Sequence, residues 1–151
     1  MSDINHVPCR VCFPPAEITP ETGILLMGQV DELQAPLFPE ERKSVEQAVE
    51  KRCREFSAGR TLAREALRRL GKEEPCALPV QDDRTPQWPA GFTGSITHTR
   101  RFCACAAAYC EKVKTVGIDL EVCGQVKPDL WDNLFTSVEK ERLLAHPDEQ
   151  S

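Results

Sequence analysis

Phe56-Ser57-Ala58-Gly59-Arg60-Thr61-Leu62-Ala63-Arg64-Glu65-Ala66-Leu67 is the stretch on which the fold turns. In the wider run around it, Val45, Val49, Cys53, Phe56, Ala63, Leu67 and Leu70 recur at helical spacing, as they do in a helix with one face in a core. Pro39 followed by Glu40-Glu41 predicts where this long helix opens, and Gly71 predicts its stop. Arg60 falls inside the apolar stripe, four residues after Phe56 and three before Ala63. Such a guanidinium either snorkels to the surface or angles into a pocket, where its fixed fork of donors suits phosphate oxygens. Arg64 and Arg68 follow at four-residue steps and read as a solvated basic ridge or a face for an acidic partner.

Strands are expected on both sides of this helix. Before it, prolines at 8, 14, 15, 20, 36 and 39 leave room only for short extended pieces such as Gly23 to Val30. After it, Pro75 to Pro89 reads as loop, with one short strand around Ala77 to Val80. Thr93 to Thr97, Phe102 to Tyr109 and Thr115 to Val122 read as three strands, the last two joined as a hairpin through Cys110 to Lys114. Thr136 and Glu139 form a capping-box pattern, predicting a helix to about Ala145 that Pro147 ends.

In Thr115-Val116-Gly117-Ile118-Asp119-Leu120-Glu121-Val122, apolar residues alternate with Gly117, Asp119 and Glu121, so both carboxylates share one face. Residues two apart on a strand lie roughly 6.5 to 7 Å apart at the backbone. Their side chains can converge on one cation, and oxygen ligands favour a hard ion such as Mg²⁺. A solvated strand face with two ordinary acids accounts for the same pattern.

Three segments together resemble a known family: the Ala58-Gly59-Arg60 helix, Trp88-Pro89-Ala90-Gly91-Phe92-Thr93-Gly94-Ser95-Ile96-Thr97-His98, and Gly117-Ile118-Asp119-Leu120-Glu121. Their order and spacing resemble the 4'-phosphopantetheinyl transferases of the surfactin-synthetase or enterobactin-synthetase activating type, over roughly Arg42 to Glu121. Phe135-Thr136-Ser137 and the helix after it add a weaker similarity. The resemblance implies an α/β (α+β) fold built as two similar halves, each an antiparallel sheet on a long helix, with the active site at their junction. Residues 1–114 would form the first half and 115–151 the start of the second. It also implies transfer of 4'-phosphopantetheine from coenzyme A to a serine of an acyl or peptidyl carrier protein. Arg60, Thr97 and His98 would hold the phosphates of coenzyme A, His98 with the Thr97 hydroxyl (Ser is commoner there) taking the 3'-phosphate. Arg84 occupies the place of a further basic contact, and Asp119 and Glu121 would bind Mg²⁺. The family's Trp/Phe-Ser-x-Lys-Glu helix, with a third carboxylate and a lysine, is expected beyond Ser151, so the chain reads as C-terminally incomplete. Phe135 to Glu141 does not replace it, because its Lys and Glu are displaced from that spacing. No catalytic residue is assigned. The alternative is a catalytically impaired fragment that binds coenzyme A or a carrier protein.

Composition narrows the remaining classes. At 151 residues, 40% hydrophobic and 28% charged, the chain is long enough for a domain with its own core. The net charge of -5 argues against a nucleic-acid binder. No apolar run approaches the ~20 residues of a membrane span, and the first residues lack a signal-peptide pattern. The expected location is cytoplasmic, with the eight cysteines reduced. Cys9-Arg10-Val11-Cys12 has zinc-knuckle spacing but no second pair; Cys103 and Cys105 read as small core residues, so a zinc-stabilised interaction module is not favoured. Gly94-Ser95-Ile96-Thr97-His98 lacks the second glycine of a nucleophile elbow. No Walker loop or dinucleotide fingerprint occurs. Trp88 and Phe92 read as core or loop anchors.

Overall fold

The computed structural model describes residues 21–122 and 128–145; Cys9, Cys12 and Pro147 lie outside them. Strand β1 (Gly23–Gln29) leads through a short helix α1 (Pro39–Arg42) to the long helix α2 (Glu50–Arg69), followed by β2 (Phe92–His98) and β3 (Phe102–Tyr109). The strands form one antiparallel sheet in the order β1-β3-β2. Two further helices, α3 (Trp131–Leu134) and α4 (Ser137–Ala145), follow. The expected α+β arrangement, an antiparallel sheet on a long helix, is what the chain adopts.

Helix α2 ends as Gly71 predicts. The Lys72 N–H donates to the Leu67 carbonyl (2.9 Å) and the Gly71 N–H to Arg68 (3.1 Å), with Gly71 at φ +93°. This paired closure needs a left-handed residue at its corner. The start differs from expectation. Instead of one helix from Pro39, the chain makes a single turn at α1, then tight three-residue bonds (Val45 N to Arg42 O, 3.0 Å; Ala48 N to Val45 O, 3.0 Å). Val49 is extended and 73% exposed while Val45 is buried, so the two valines do not share a face. The break separates α1 from α2 and leaves the Glu41 carboxylate in the core, paired with Arg64.

That core lies between α2 and one face of the sheet. Leu62, Leu67 and Leu78 are fully buried, with Leu26, Cys103, Cys105 and Ala107 facing them. Cys103 and Cys105 are the small inward residues expected. Burial pushes the Cys103 thiol up to about 12, and that of Cys105 higher still. Gly59 lets α2 approach β2, because a Cβ there would lie 2.9 Å from Ile96 Cγ2. Arg64 is not part of a solvated ridge. It is largely buried and paired with Glu41 at 2.7 Å, whereas Arg68 stays on the surface and pairs with Glu65.

Thr115 to Val122 forms neither a strand nor the far arm of a hairpin with β3. The cause is topological: β3 is the central strand, and both its edges are already paired to β1 and β2. The hairpin joins β2 to β3 across Thr99, where the Thr99 N–H donates to Phe102 O (2.8 Å). After Tyr109 the chain turns, with Lys112 and Val113 N–H on the Tyr109 carbonyl, and returns beside β2. Around residues 77–80 a single bridge, Val80 with Pro86, replaces the expected short strand. The capping box at α4 is present: Thr136 N–H donates to Glu139 Oε2 (2.8 Å) and Glu139 N–H to Thr136 Oγ1 (3.4 Å). No described helix is long and apolar enough to cross a membrane.

Two outcomes test this packing. Gly94→Ala would drive a methyl to 2.5 Å from both Trp88 Cζ2 and the Ala106 carbonyl, so a loss of about 1–3 kcal/mol is expected in urea denaturation. Glu65 is held down from 4.5 to about 2, chiefly by its bond from Arg68, which outweighs the cost of burial, and to a lesser extent by that from Arg69. A lowered carboxylate stabilises above its unfolded value and loses that contribution as pH falls. The stability difference between wild type and Glu65→Gln should therefore be full above about pH 5 and vanish towards pH 2.

Candidate functional site

The candidate residues collect at the end of β2. Because successive side chains on a strand point to opposite faces, Thr97 and His98 diverge. His98, opposite Cys103 in register, lies on the α2 side. Its Nε2 is 3.3 Å from Arg52 Nη1 and its Nδ1 is 3.8 Å from Glu55 Oε2. Arginine only donates, so Nε2 is the acceptor in this contact.

Thr97 faces the other way. Its hydroxyl donates to Asp119 Oδ1 (3.1 Å) and accepts from the Leu120 N–H (3.3 Å), while Ser95 Oγ two residues earlier accepts from the Ile118 N–H (3.3 Å). Asp119 also accepts from the Leu120 N–H at 2.9 Å. Asp119 and Glu121 are both exposed and Val116, Ile118 and Leu120 half-buried. The expected alternation of faces therefore holds as far as Leu120 without a backbone ladder, and fails at Val122, which is exposed. Nothing lies within 4 Å of a Cβ built at Gly117, so space beside the carboxylates is open.

Arg60 is more enclosed than a surface phosphate contact, at 5% exposure. Its Nε donates to the Leu78 carbonyl at 2.7 Å and its guanidinium stacks 4.2 Å over the Phe56 ring. Among the described residues no buried side-chain nitrogen lacks a partner, so the two amino groups of Arg60 meet solvent at the rim. Burial lowers its pKa to about 10, opposed by the charge of Glu41 and assisted by those of Arg64 and Arg52. It is still a cation at neutral pH. Arg84 stands apart in an exposed turn, at φ 69°, where Asp83 Oδ1 accepts from Thr85 N–H (2.9 Å) and Oγ1 (2.6 Å). It joins none of the other candidates through a hydrogen bond or ion pair.

Gly94 serves a purpose other than ligand approach. The Trp88 ring occupies the place of its missing Cβ. Trp88 and Phe92 pack against the core as anchors, as their sequence context implies.

Residues 40–108 match the family described as the 4'-phosphopantetheinyl transferase N-terminal domain. This region is a phosphopantetheinyl transferase N-terminal domain. The chain is similar to 4'-phosphopantetheinyl transferase Svp of Streptomyces mobaraensis, 41% identical over 109 residues, which are 72% of the chain and 44% of the relative. Similarity to 4'-phosphopantetheinyl transferase Npt of Nocardia iowensis is 35% over 118 residues, 78% of the chain and 52% of the relative. Enterobactin synthase component D of Escherichia coli (strain K12) is 37% identical over 101 residues, 66% of the chain and 46% of the relative. The chain spans about half the length of the curated relatives it matches.

Within this phosphopantetheinyl transferase domain, Arg52 and Glu55 are the residues that sequence reasoning passed over. Arg52 lies two helical turns before Arg60, a spacing that puts both near one face of α2. That signal was available in the sequence, but its partner His98 comes from a distant strand. Among the described residues no group of three His, Cys, Asp or Glu side chains is placed to hold a metal ion. Asp119 and Glu121 supply two hard oxygen donors, the right chemistry for an ion that keeps several waters.

The Thr97 tether yields an expected outcome. Thr97→Val removes one of the two acceptors of the Leu120 N–H and the donor that holds the other, Asp119, in place, and Thr97→Ser keeps both. Faster amide exchange at Leu120 is expected in Thr97→Val, with Thr97→Ser close to wild type, as read by hydrogen-exchange mass spectrometry or NMR.

Proposed function

We propose that this chain provides the nucleotide-binding half of a 4'-phosphopantetheinyl transferase, an enzyme moving phosphopantetheine from coenzyme A to a carrier-protein serine. The observation that carries the reading is the Thr97 hydroxyl on Asp119. It joins the Thr-His end of β2 to the carboxylate segment, as a site handling both the 3'-phosphate and the pyrophosphate of coenzyme A requires. Residues 115–151 would belong to the second half. In support, 115–122 is tied to β2 through two side-chain hydroxyls rather than a strand ladder.

In this reading His98, with Arg52 beside it, takes the 3'-phosphate. Arg60 presents its amino groups to the same nucleotide end, while Arg84, in its separate exposed turn, is given no contact in this reading. Holding the nucleotide at several points places the distant pyrophosphate for reaction. Asp119 and Glu121 would hold Mg²⁺, which when bound neutralises charge building on the pyrophosphate. The serine oxygen forms a bond to the phosphorus nearer pantetheine, and the P–O bond to adenosine 3',5'-bisphosphate breaks. The serine proton goes to a base that the described residues do not assign. Among the described residues Asp119 and Glu121 have no third carboxylate beside them, which favours a share in binding for this chain.

Calorimetry tests the nucleotide assignment. His98→Ala should weaken coenzyme A binding about tenfold, equivalent to ~1.4 kcal/mol, and leave dephospho-coenzyme A within about twofold. Equal losses for both ligands would remove the 3'-phosphate from His98. Phosphopantetheine transfer itself is read as a mass gain on an apo carrier protein incubated with coenzyme A and Mg²⁺.

A further inference from the structure

Glu41 is fully buried on a four-residue helix, and the functional reading above gives it no role. Its Oε2 accepts from the Phe38 N–H at 2.9 Å, and its Oε1 accepts from Arg64 Nη1 at 2.7 Å and from the Leu78 N–H at 2.8 Å. The same Leu78 peptide segment turns its carbonyl to Arg60 Nε at 2.7 Å. Leu78 is itself fully buried, so no water can substitute for either of its bonds without opening the core. A continuous relay thus runs from the carboxylate through one residue's N–H and C=O to the guanidinium.

We propose that Glu41 is the positioning residue for Arg60: it fixes Leu78, Leu78 takes the Nε–H, and the two amino groups of Arg60 are left aimed at the rim for a phosphate. The proposal rests on the nucleotide-binding reading for its ligand, but not for its geometry. Nε is the one guanidinium nitrogen whose capture leaves both amino groups in a parallel pair, the arrangement that meets two phosphate oxygens. Charge adds a second contribution. One carboxylate serves two neighbouring guanidiniums, Arg60 and Arg64, so it shields Arg60 within the core without cancelling the positive field at the rim. A glutamate that merely anchored α1 would need Phe38 and Arg64 only; the bond to Leu78 reaches the residue that Arg60 uses.

The experiment reads the Arg60 Nε–H by ¹⁵N NMR in the full chain without ligand, then coenzyme A affinity by calorimetry. In Glu41→Gln the Arg60 Nε–H should exchange with solvent at least about tenfold faster, with the Arg54 Nε–H unchanged as a control. Coenzyme A affinity should fall about tenfold in the wild-type background and less than about twofold when Arg60 is already lysine, since two residues acting through one contact are not additive. Glu41→Asp keeps the charge, shortens the reach to Leu78 and should shift the same observables in the same direction, which preserves the test if Glu41→Gln does not fold. An unchanged Arg60 Nε–H exchange rate, or an equal affinity loss in both backgrounds, would overturn the proposal. If the wild-type chain binds no coenzyme A, the functional reading fails, and the exchange rate alone decides whether Glu41 positions Arg60.

Discussion

A single buried carboxylate, that of Glu41, holds three segments of this domain in place. An ion removed from water is costly, by several kcal/mol even after relaxation, unless its oxygens are fully bonded. Here donors converge on it from the segment before α1, from the middle of α2 and from the loop after α2. None of those segments is otherwise bound to the others by a sheet ladder. The short α1, which a four-residue helix could not sustain alone, exists as the mount for this side chain. The loop containing Leu78 has no regular structure of its own, yet Leu78 is buried completely. Its path is set by where the carboxylate and Arg60 take its two polar groups.

What the sequence made legible was local. Gly71 closes α2 and Thr136 with Glu139 opens α4 because caps are decided by residues within one turn of each other. Cys103 and Cys105 could be read as core from alternation within one strand. The readings that failed depended on distant partners. Whether Pro39 opens one helix or two was settled by Arg64 and Leu78, which draw Glu41 inward. Whether Thr115 to Val122 could pair as a strand was settled by β1, a strand some ninety residues earlier, which fills the second edge of β3. Gly94 makes room for Trp88, a fact invisible until the loop is folded back. Arg64 looked like one member of a basic ridge, since nothing local marks it as the partner of a residue 23 positions away.

The site was legible as a set of residues more than as an arrangement. Thr97 and His98 are neighbours in sequence and would be taken as one binding unit. The pleat sends them to different faces, so one addresses α2 and the other the carboxylate segment. Two separate segments are therefore coordinated through a single dipeptide. The consequence for β2 is strict: its register against β3 decides which element each side chain meets, and a one-residue shift would exchange them.

The hydroxyl tether of residues 118–120 has an implication for how such a sequence can drift. A strand ladder would spread the job of holding the segment over many peptide groups, indifferent to side chains. Here the anchor points are Ser95 and Thr97, and what they grip is backbone at Ile118 and Leu120. Substitution tolerance is thus unevenly divided: the gripped positions can exchange one apolar side chain for another, while the gripping positions must keep an oxygen. Variation in the carboxylate segment would then be policed from a different part of the gene.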